Sequence, residues 1–171
     1  MALKYQYRIF KESQRFDQWW VWVMLAAVTL VPVYGMYQQY VLEQPFGDEP
    51  MSSGGLFMSF LLILAVDMLF MIIRLRTHIN AHQIEMFFFP FKRKIVQWAE
   101  VDKAEVVDYG FVGWGIRLFT RYGTVYNIKG SKGLAIQLKS GKKFLIGTQK
   151  PNDLIQFLLA RDEAQSIPDL S

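Results

Sequence analysis

The sequence predicts a membrane protein of the α plus β class, in which a two-helix transmembrane hairpin precedes a small, strongly bent sheet or barrel. Three observations predict this architecture. Two long apolar runs lie in the first half of the 171 residues, short strand-like runs separated by turns follow from position 77, and an amphipathic helical pattern comes last. The chain therefore divides into an N-terminal arm (1–17), a transmembrane hairpin (18–76) and a strand-rich domain (77–171).

The two apolar runs are predicted to be membrane spans. The first covers 19–41, holds no charged residue and is long enough to cross a hydrocarbon core of roughly 30 Å. Tryptophans at its start and tyrosines near its end are typical of the aromatic belts of a membrane helix. The second covers 56–75 and holds one acidic residue, Asp67. Two such runs are hard to bury in a domain of this size, which favours a helical hairpin over the alternative of a cleaved signal peptide at the first run.

The flanking charges predict an orientation for this hairpin. The connecting loop, 42–55, contains Glu43, Asp48 and Glu49 but no lysine or arginine. Basic residues lie before the first span and after the second: Lys4, Arg8, Lys11, Arg15, Arg74, Arg76, Lys92, Arg93 and Lys94. The positive-inside rule then places both termini in the cytoplasm and the acidic loop outside, as in a multi-pass protein of the cytoplasmic (inner) membrane.

Asp67 is predicted to be an intramembrane polar site. An ionisable residue near the middle of a span costs about 2.5–3.5 kcal/mol on insertion scales. In an antiparallel hairpin with flush ends it lies level with Ala26, Ala27 and Thr29, where small side chains allow close approach and Thr29 can donate a hydrogen bond. We expect a neutral Asp67 that holds helix to helix or subunit to subunit. The alternative is a proton or ion pathway.

The region from position 77 is predicted to hold six or seven strands and one helix. The stretch 77–91 is predicted to form one strand, ended or bulged at Pro90, and 134–146 a hairpin that turns at Ser140 and Gly141. Pro151 suits a first helical turn, after which an apolar stripe runs along the helix. A sheet of this size followed by one helix predicts a bent barrel that the helix caps at one end.

Three stretches carry a family resemblance: "FFFPFKRKIVQWAEV", "VDYGFVGWGIR" and "TVYNIKGSKGLAIQLKSGKKFLIGTQKP". They resemble the bacterial pleckstrin-homology-like domains that are attached to short transmembrane hairpins, a family of uncharacterised small membrane proteins. The resemblance implies a seven-stranded bent barrel closed by a C-terminal helix, and no catalytic residues come with it. Pleckstrin-homology folds bind phosphoinositides, peptides or proteins, but no basic loop here matches a headgroup-binding motif residue by residue.

The glycine-rich stretch around Trp114 is predicted to be a structural corner rather than a phosphate cradle. A dinucleotide fingerprint needs a third glycine and a following helix, whereas this stretch lacks that glycine and leads into a strand. Glycines before a strand are typical of bulges and bends, and the tryptophan between them of a core or barrel-end plug. The corner residues are Gly113, Trp114, Gly115 and Arg117.

Other chemistry-bearing residue types predict no active site. His78, His82 and Glu85 have a zinc-like spacing only on a helix, whereas their surroundings predict a strand on which the imidazoles point apart. There is no cysteine, and no serine with a histidine and an acid in a catalytic pattern. We therefore expect neither a bound metal nor a cofactor, and no enzymatic activity.

Two lysine-rich groups are candidates for contact with anionic lipid. Lys92, Arg93 and Lys94 lie in an apparent turn, and Lys142 and Lys143 lie at the predicted hairpin. Near an anionic leaflet each charge contributes about 1 kcal/mol. The alternative is that these charges serve turn solubility and membrane topology.

The predicted function is a non-enzymatic, membrane-anchored module that binds a protein partner or self-assembles at the cytoplasmic face of the bilayer. Alternation of Leu3, Tyr5, Tyr7 and Ile9 predicts a strand in the N-terminal arm that pairs with an edge of the barrel or of a partner. The alternatives are an anionic-lipid headgroup sensor and a small oligomeric channel or transporter centred on Asp67. The mild net charge of +4 disfavours nucleic acid as a partner.

Overall fold

The computed structural model describes residues 9–47, 49–110 and 114–166. The chain forms two compact units. The helical unit is Phe16–Ile73, and the strand unit combines the residues before Phe16 with those from Arg74 onward. The segment predicted to form a strand around Tyr5 and Tyr7 lies outside the described residues.

The helical unit is a pair of long apolar helices, α1 (Trp19–Tyr40) and α2 (Ser53–Ile72). Both are long and apolar enough to cross a membrane, and only 17% and 6% of their most apolar windows are buried within the protein. A core helix of a soluble protein would be mostly buried, so these exposures suggest an association with a membrane. α2 begins and ends three residues before the predicted span 56–75, because Arg74 already belongs to a strand.

Polar and aromatic contacts hold the loop that joins these helices. The Gln39 amide donates to the carbonyl oxygen of Met51 at 2.9 Å, and Ser53 Oγ donates to Gln39 Oε1 at 3.2 Å. The Phe46 ring packs on Gly35, where an added Cβ would approach the ring to 2.8 Å. The loop therefore returns onto the end of α1, where Gly35 leaves space for an aromatic ring.

The first sheet of the strand unit is antiparallel and contains four strands in the order β1-β2-β3-β4. Its strands are β1 (Phe10–Arg15), β2 (Arg74–Ile79), β3 (Gln83–Phe89) and β4 (Lys92–Gln97). β1 precedes the helical unit and β2 follows it, yet the two strands are paired along their length, with Arg15 opposite Arg74. The helical unit is thus inserted between two neighbouring strands of one sheet.

The stretch 77–91 does not form the single strand predicted from the sequence. β2 ends at Ile79 and β3 begins at Gln83, so the stretch contains a hairpin. Asn80 Oδ1 accepts hydrogen bonds from the backbone N–H groups of His82 and Gln83, at 2.8 and 2.9 Å. These bonds close the turn. An asparagine side chain can accept a hydrogen bond from the backbone N–H two residues later, as a backbone carbonyl group would in an ordinary turn.

The second sheet contains five strands in the order β5-β8-β9-β7-β6, followed by helix α3. Its strands are β5 (Val101–Asp108), β6 (Gly115–Thr120), β7 (Gly123–Asn127), β8 (Lys132–Leu138) and β9 (Lys143–Gly147), and α3 is Pro151–Ser166. The predicted hairpin at Ser140 and Gly141 is confirmed as the β8–β9 turn. The pairing of β7 with β9 is parallel and the other pairings are antiparallel.

The closed barrel expected from the sequence is not formed by the described residues, which make two open sheets. The single-turn 3₁₀ helix Trp98–Glu100 separates β4 from β5, and β5 pairs with β8 instead. Trp98 fixes this break, since its backbone N–H donates to His82 O at 3.1 Å and its indole N–H to Asn80 O at 2.8 Å. The backbone groups that would continue the ladder are therefore already engaged.

Alternating side chains of the strands form the core of the strand unit. The burial of β1 and β3 follows the two-residue period of a sheet with one face inside. The largest fully buried residues come from both sheets, from the bend after β7 and from α3, namely Phe144, Leu75, Ile79, Ile84, Met86, Ile128, Leu134, Ile136, Leu145, Ile146, Leu154 and Val125. α3 packs against β1 and β5, so it covers strands of both sheets.

A buried carboxylate on β1 reaches the junction between β9 and α3. Glu12, 8% exposed, accepts hydrogen bonds from Thr148 Oγ1 at 2.6 Å and from the backbone N–H of Gln149 at 2.7 Å. Two residues along β1, Gln14 Nε2 donates to the carbonyl oxygen of Gly147 at 2.7 Å. β1 is therefore held by side chains as well as by its ladder to β2.

We expect Glu12→Ala to lower the free energy of unfolding by about 3 kcal/mol, because two donors lose their acceptor at about 1–3 kcal/mol each. Lys11→Ala, on the exposed face of the same strand, is the matched control and should stay within about 0.5 kcal/mol of the parent. Thermal and denaturant unfolding of the full-length protein in detergent measures both. Equal losses in the two variants would show that the carboxylate does not hold β1.

Gly123 and Gly141 form a second matched pair. Both have a left-handed φ, +78° and +81°. A Cβ on Gly123 would collide with the carbonyl oxygen of Lys143, whereas nothing lies within 4 Å of a Cβ on Gly141. Gly141→Ala should therefore cost only the conformational strain, about 1–2 kcal/mol. Gly123→Ala should cost clearly more in the same unfolding measurement, and a similar cost for both would contradict the close approach of β7 to β9.

Candidate functional site

The triplet Lys92–Lys94 is divided by the alternation of β4. Arg93 lies on the opposite face from its two neighbours and pairs with Glu85, at 2.6 Å from Nη2 and 2.9 Å from Nε to Oε1. Lys92 and Lys94 lie opposite Phe88 and Met86 of β3, whose side chains are buried in the core. Two of the three predicted contact residues therefore share a face, and Arg93 does not join them.

Lys94 lies over a buried aromatic ring of the second sheet. Its Nζ is 3.5 Å from the centroid of Phe144, which is 1% exposed. Burial lowers the pKa of Lys94, and the positive charges of Lys92 and Lys142 lower it further. Contact with the ring face partly offsets the lost hydration, because the face of an aromatic ring is negative. The structure thus brings the two lysine groups of the sequence analysis together.

A cavity of about 320 Å³ lies beside this cluster. Its charged and aromatic lining consists of Lys103, Glu105, Arg121, Tyr122, Lys143 and Phe144. Lys103 pairs with Glu105 at 2.8 Å, and the Arg121 guanidinium lies 4.7 Å from the centroid of Tyr122. Arg121 and Lys143 therefore provide the excess positive charge of the lining.

We define Lys92, Lys94, Arg121, Lys142 and Lys143 as the basic rim. The charges of Lys92 and Lys142 act on Lys94, Arg121 and Lys143 line one cavity, and Lys142 and Lys143 are neighbours in the chain that join the two groups. The ion pairs among the described residues involve none of its five members. Among the described residues the nearest carboxylate in the cavity lining, Glu105, pairs with Lys103, which leaves the rim with an excess of positive charge.

The floor beside the cavity is a buried cluster of apolar side chains. Tyr109, Val125 and Leu145 form a buried cluster against which Tyr122 and Ala135 of the cavity lining pack. Burial raises the pKa of Tyr109 to about 12, and the charge of Asp108 adds to the effect. A hydroxyl that stays neutral in this cluster supports packing, so the rim is carried by a fixed scaffold.

A second cavity, of about 620 Å³, lies between α3 and the start of β5. The Arg161 guanidinium stacks at 3.8 Å on the Trp98 ring, and burial lowers its pKa while Asp162 acts in the opposite sense. Asp102 and Asp162 share this lining with Arg161 and Lys103. Its charges balance, so this cavity lacks the positive excess of the basic rim.

The predicted glycine corner is described only in part. Gly113 lies outside the described residues, while Gly110 and Gly115 have left-handed φ values of +67° and +90°. The chain then enters β6, as predicted, and not a helix. Trp114 is 38% exposed, so it does not fill the core as expected, because β6 is an edge strand. Arg117 is exposed on that strand.

The polar pair of the helical unit is present. Thr29 Oγ1 donates to Asp67 Oδ2 at 2.7 Å and also lies 2.9 Å from the carbonyl oxygen of Leu25. A hydroxyl has one proton, so it serves one acceptor fully at a time. The Asp67 carboxyl and the Leu25 carbonyl oxygen therefore share the Thr29 hydroxyl as donor. The pair links α1 to α2.

We expect Thr29→Val to weaken the helix pair by about 0.6–1.7 kcal/mol, the range of interhelical hydrogen bonds in membrane proteins. Asp67→Asn keeps a side chain that can bond to Thr29 and should change little. Unfolding of the full-length protein in mixed micelles by increasing SDS measures both variants. A loss for Asp67→Asn as large as that for Thr29→Val would show that the carboxyl group itself is required.

The histidines do not form a metal site with the residues described. His78 is on β2 opposite Glu85, and His82 follows in the turn. In the described part of the chain no three histidine, cysteine, aspartate or glutamate side chains are grouped to hold a metal ion.

Comparison with protein-family models, with curated proteins and with solved structures finds no match for this chain.

Sequence reasoning missed Arg121 as a member of the rim and Glu12 as a residue that holds the fold. Arg121 lies 22 positions before Lys143 in the sequence, so no local pattern predicts that the two side chains line one cavity. The turn after β6 could have indicated this role for Arg121, because a basic residue in an exposed turn can lie close to a basic residue of a neighbouring hairpin. Nothing in the sequence indicates that Glu12 is buried. In a strand as short and polar as β1, the sequence does not show which polar residues face the core.

Proposed function

We propose that the chain is a non-enzymatic, membrane-anchored module whose strand unit binds the anionic surface of a bilayer through the basic rim. The observation that carries the proposal is the position of Lys94 over the Phe144 ring, near Lys92 and Lys142: burial lowers the pKa of Lys94, and the two neighbouring positive charges lower it further. A protein gains nothing in stability from such a cluster. An anionic surface offsets the repulsion among these positive charges and favours the charged form of Lys94.

The magnitude is sufficient for a tethered domain. Each basic residue near an anionic leaflet contributes about 1 kcal/mol. Five residues of the rim therefore give a few kcal/mol even when their contributions are only partly additive. A domain anchored to the same membrane needs no high affinity, because the tether already keeps its effective concentration high.

The anchor in this proposal is the helical unit. α1 and α2 cross the bilayer as a hairpin, and the basic flanks of both helices with the acidic loop between them support an orientation with both termini in the cytoplasm. In that orientation the strand unit is on the cytoplasmic side, where the leaflet is the negatively charged one. The helical unit and the basic rim would then bind the same membrane.

We also propose that the strand unit is a pleckstrin-homology-like domain, as the sequence resemblance implies. The succession of mostly antiparallel strands β2 to β9 after the helical hairpin, ended by one C-terminal helix, supports this assignment, whereas β1 precedes the hairpin. The open sheets depart from the expected closed barrel, because the turn at Trp98 separates β4 from β5. Lipid binding is argued from the basic rim and not from the family.

Binding of a protein partner or self-assembly, which the sequence favoured, has less support from the geometry. β4 is an edge strand of the first sheet, and its three consecutive basic residues are a common device against edge-to-edge pairing. A channel centred on Asp67 would need further polar groups in line with it. The lipid surface is the partner that the exposed charge fits.

The test uses the full-length protein in lipid nanodiscs. The chain has no cysteine, so Ser140→Cys gives a single labelling site in the turn next to the rim. Energy transfer from a dye at this position to an acceptor lipid should rise when phosphatidylglycerol replaces phosphatidylcholine. Raising salt from about 0.1 to about 1 M shortens the screening length from about 10 to about 3 Å and should reverse the rise.

Charge reversal identifies the residues. Lys94→Glu with Lys142→Glu should reduce the anionic-lipid-dependent equilibrium about thirtyfold or more, since two contributions of about 1 kcal/mol are lost. Arg93→Glu is the matched control on the same strand, because Arg93 faces away and pairs with Glu85. Energy transfer that ignores lipid charge, or an equal effect of Arg93→Glu, would reject the basic rim as the lipid site.

A further inference from the structure

The tip of the β6–β7 hairpin carries two exposed apolar side chains beside the basic rim. Phe119 is 98% exposed and Leu118 is 59% exposed. The register of the two strands shifts between Arg117 and Thr120, so Leu118 and Phe119 form a bulge without ladder partners on β7. Such exposure of a whole aromatic side chain is unusual for a soluble surface and marks an interaction site when it is held in place.

The backbone holds this tip in its exposed form. Phe119 has a left-handed φ of +60°, which residues with a Cβ rarely adopt. Thr120 Oγ1 donates to the carbonyl oxygen of Gly123 at 2.8 Å and accepts from the backbone N–H of Tyr122 at 3.2 Å. These bonds close the turn, so the bulge presents Phe119 on a fixed support. A strained conformation that keeps an apolar group in water indicates a use for that group.

We propose that Leu118 and Phe119 insert into the boundary between headgroups and acyl chains of the bilayer that the basic rim binds. This inference rests on the proposed function and adds the part of the surface that enters the apolar region. The tip inserts the aromatic ring while Arg117 and Arg121, on either side, stay at the level of the phosphates. Aromatic side chains beside basic ones are typical of proteins that lie in a membrane interface.

The charge around the tip selects a bilayer as the occupant. The segment 114–123 holds two arginines and no acidic residue. Arg121 belongs to the basic rim and lines the same cavity as Lys143, and a Cβ on Gly123 would contact the Lys143 carbonyl group. The apolar tip is therefore continuous with the positively charged surface. Positive charge on both sides of an apolar tip is complementary to the surface of an anionic lipid layer.

The experiment uses the labelled Ser140→Cys protein in phosphatidylglycerol nanodiscs, with Phe119→Ser added. Phe119 packs against almost nothing, so its replacement leaves the fold intact. We expect the equilibrium for approach to the bilayer to fall about tenfold or more, the effect of no longer burying one aromatic side chain. The remaining approach should become fully sensitive to salt, because only the electrostatic part is left.

Leu159→Ser is the matched control, since Leu159 on α3 is 52% exposed and lies on an element outside the rim. It should leave the energy transfer unchanged. An unchanged equilibrium in Phe119→Ser overturns the insertion, while the charge-reversal result independently decides the proposed function. If Phe119→Ser instead changes the oligomeric state of the protein in detergent, measured by light scattering, the tip covers a second copy and the inference is overturned.

Discussion

The strand unit depends on the contact between the Glu12 carboxylate and the junction of β9 with α3. β1 lies at the edge of its sheet, and two long helices separate it in the sequence from β2, the strand with which it pairs. Hydrogen bonds to β2 alone would leave the other edge of β1 unpaired. Glu12 accepts from Thr148 and Gln149, and Gln14 donates to Gly147, which binds the first strand to the last one. A buried carboxylate is stable here because both oxygens receive hydrogen bonds.

The same close packing between the two sheets creates the basic rim. Lys94 extends over Phe144 because β4 and β9 belong to different sheets that meet at this end of the unit. The β6–β7 turn approaches β9 where Gly123 lies against the Lys143 carbonyl group, and this brings Arg121 to the rim. Charges that are far apart in the sequence are therefore gathered by contacts that the core requires. The positive surface follows from the packing of apolar neighbours.

The sequence predicted those features that depend on neighbouring residues. The apolar helices, the Ser140–Gly141 turn and the Thr29–Asp67 pair follow from local patterns or from simple antiparallel alignment. The hairpin at Asn80 was missed because a side-chain acceptor, and not a glycine or proline pair, closes the turn. The barrel was wrong because Trp98 engages the backbone of another turn. The joining of Lys94 with Lys142 depends on sheet packing, which no local pattern records.

The pairing of Arg15 with Arg74 sets a condition on how the helices are placed in a membrane. These residues immediately flank the helical unit, and they can be neighbours in one sheet only if both lie on the same side of the bilayer. An even number of crossings satisfies this requirement, whereas a chain in which one helix failed to insert would have β1 and β2 separated by lipid. If the two helices form the proposed membrane anchor, the first sheet can therefore assemble only when both helices, or neither, have crossed the bilayer, and folding of the strand unit depends on correct insertion.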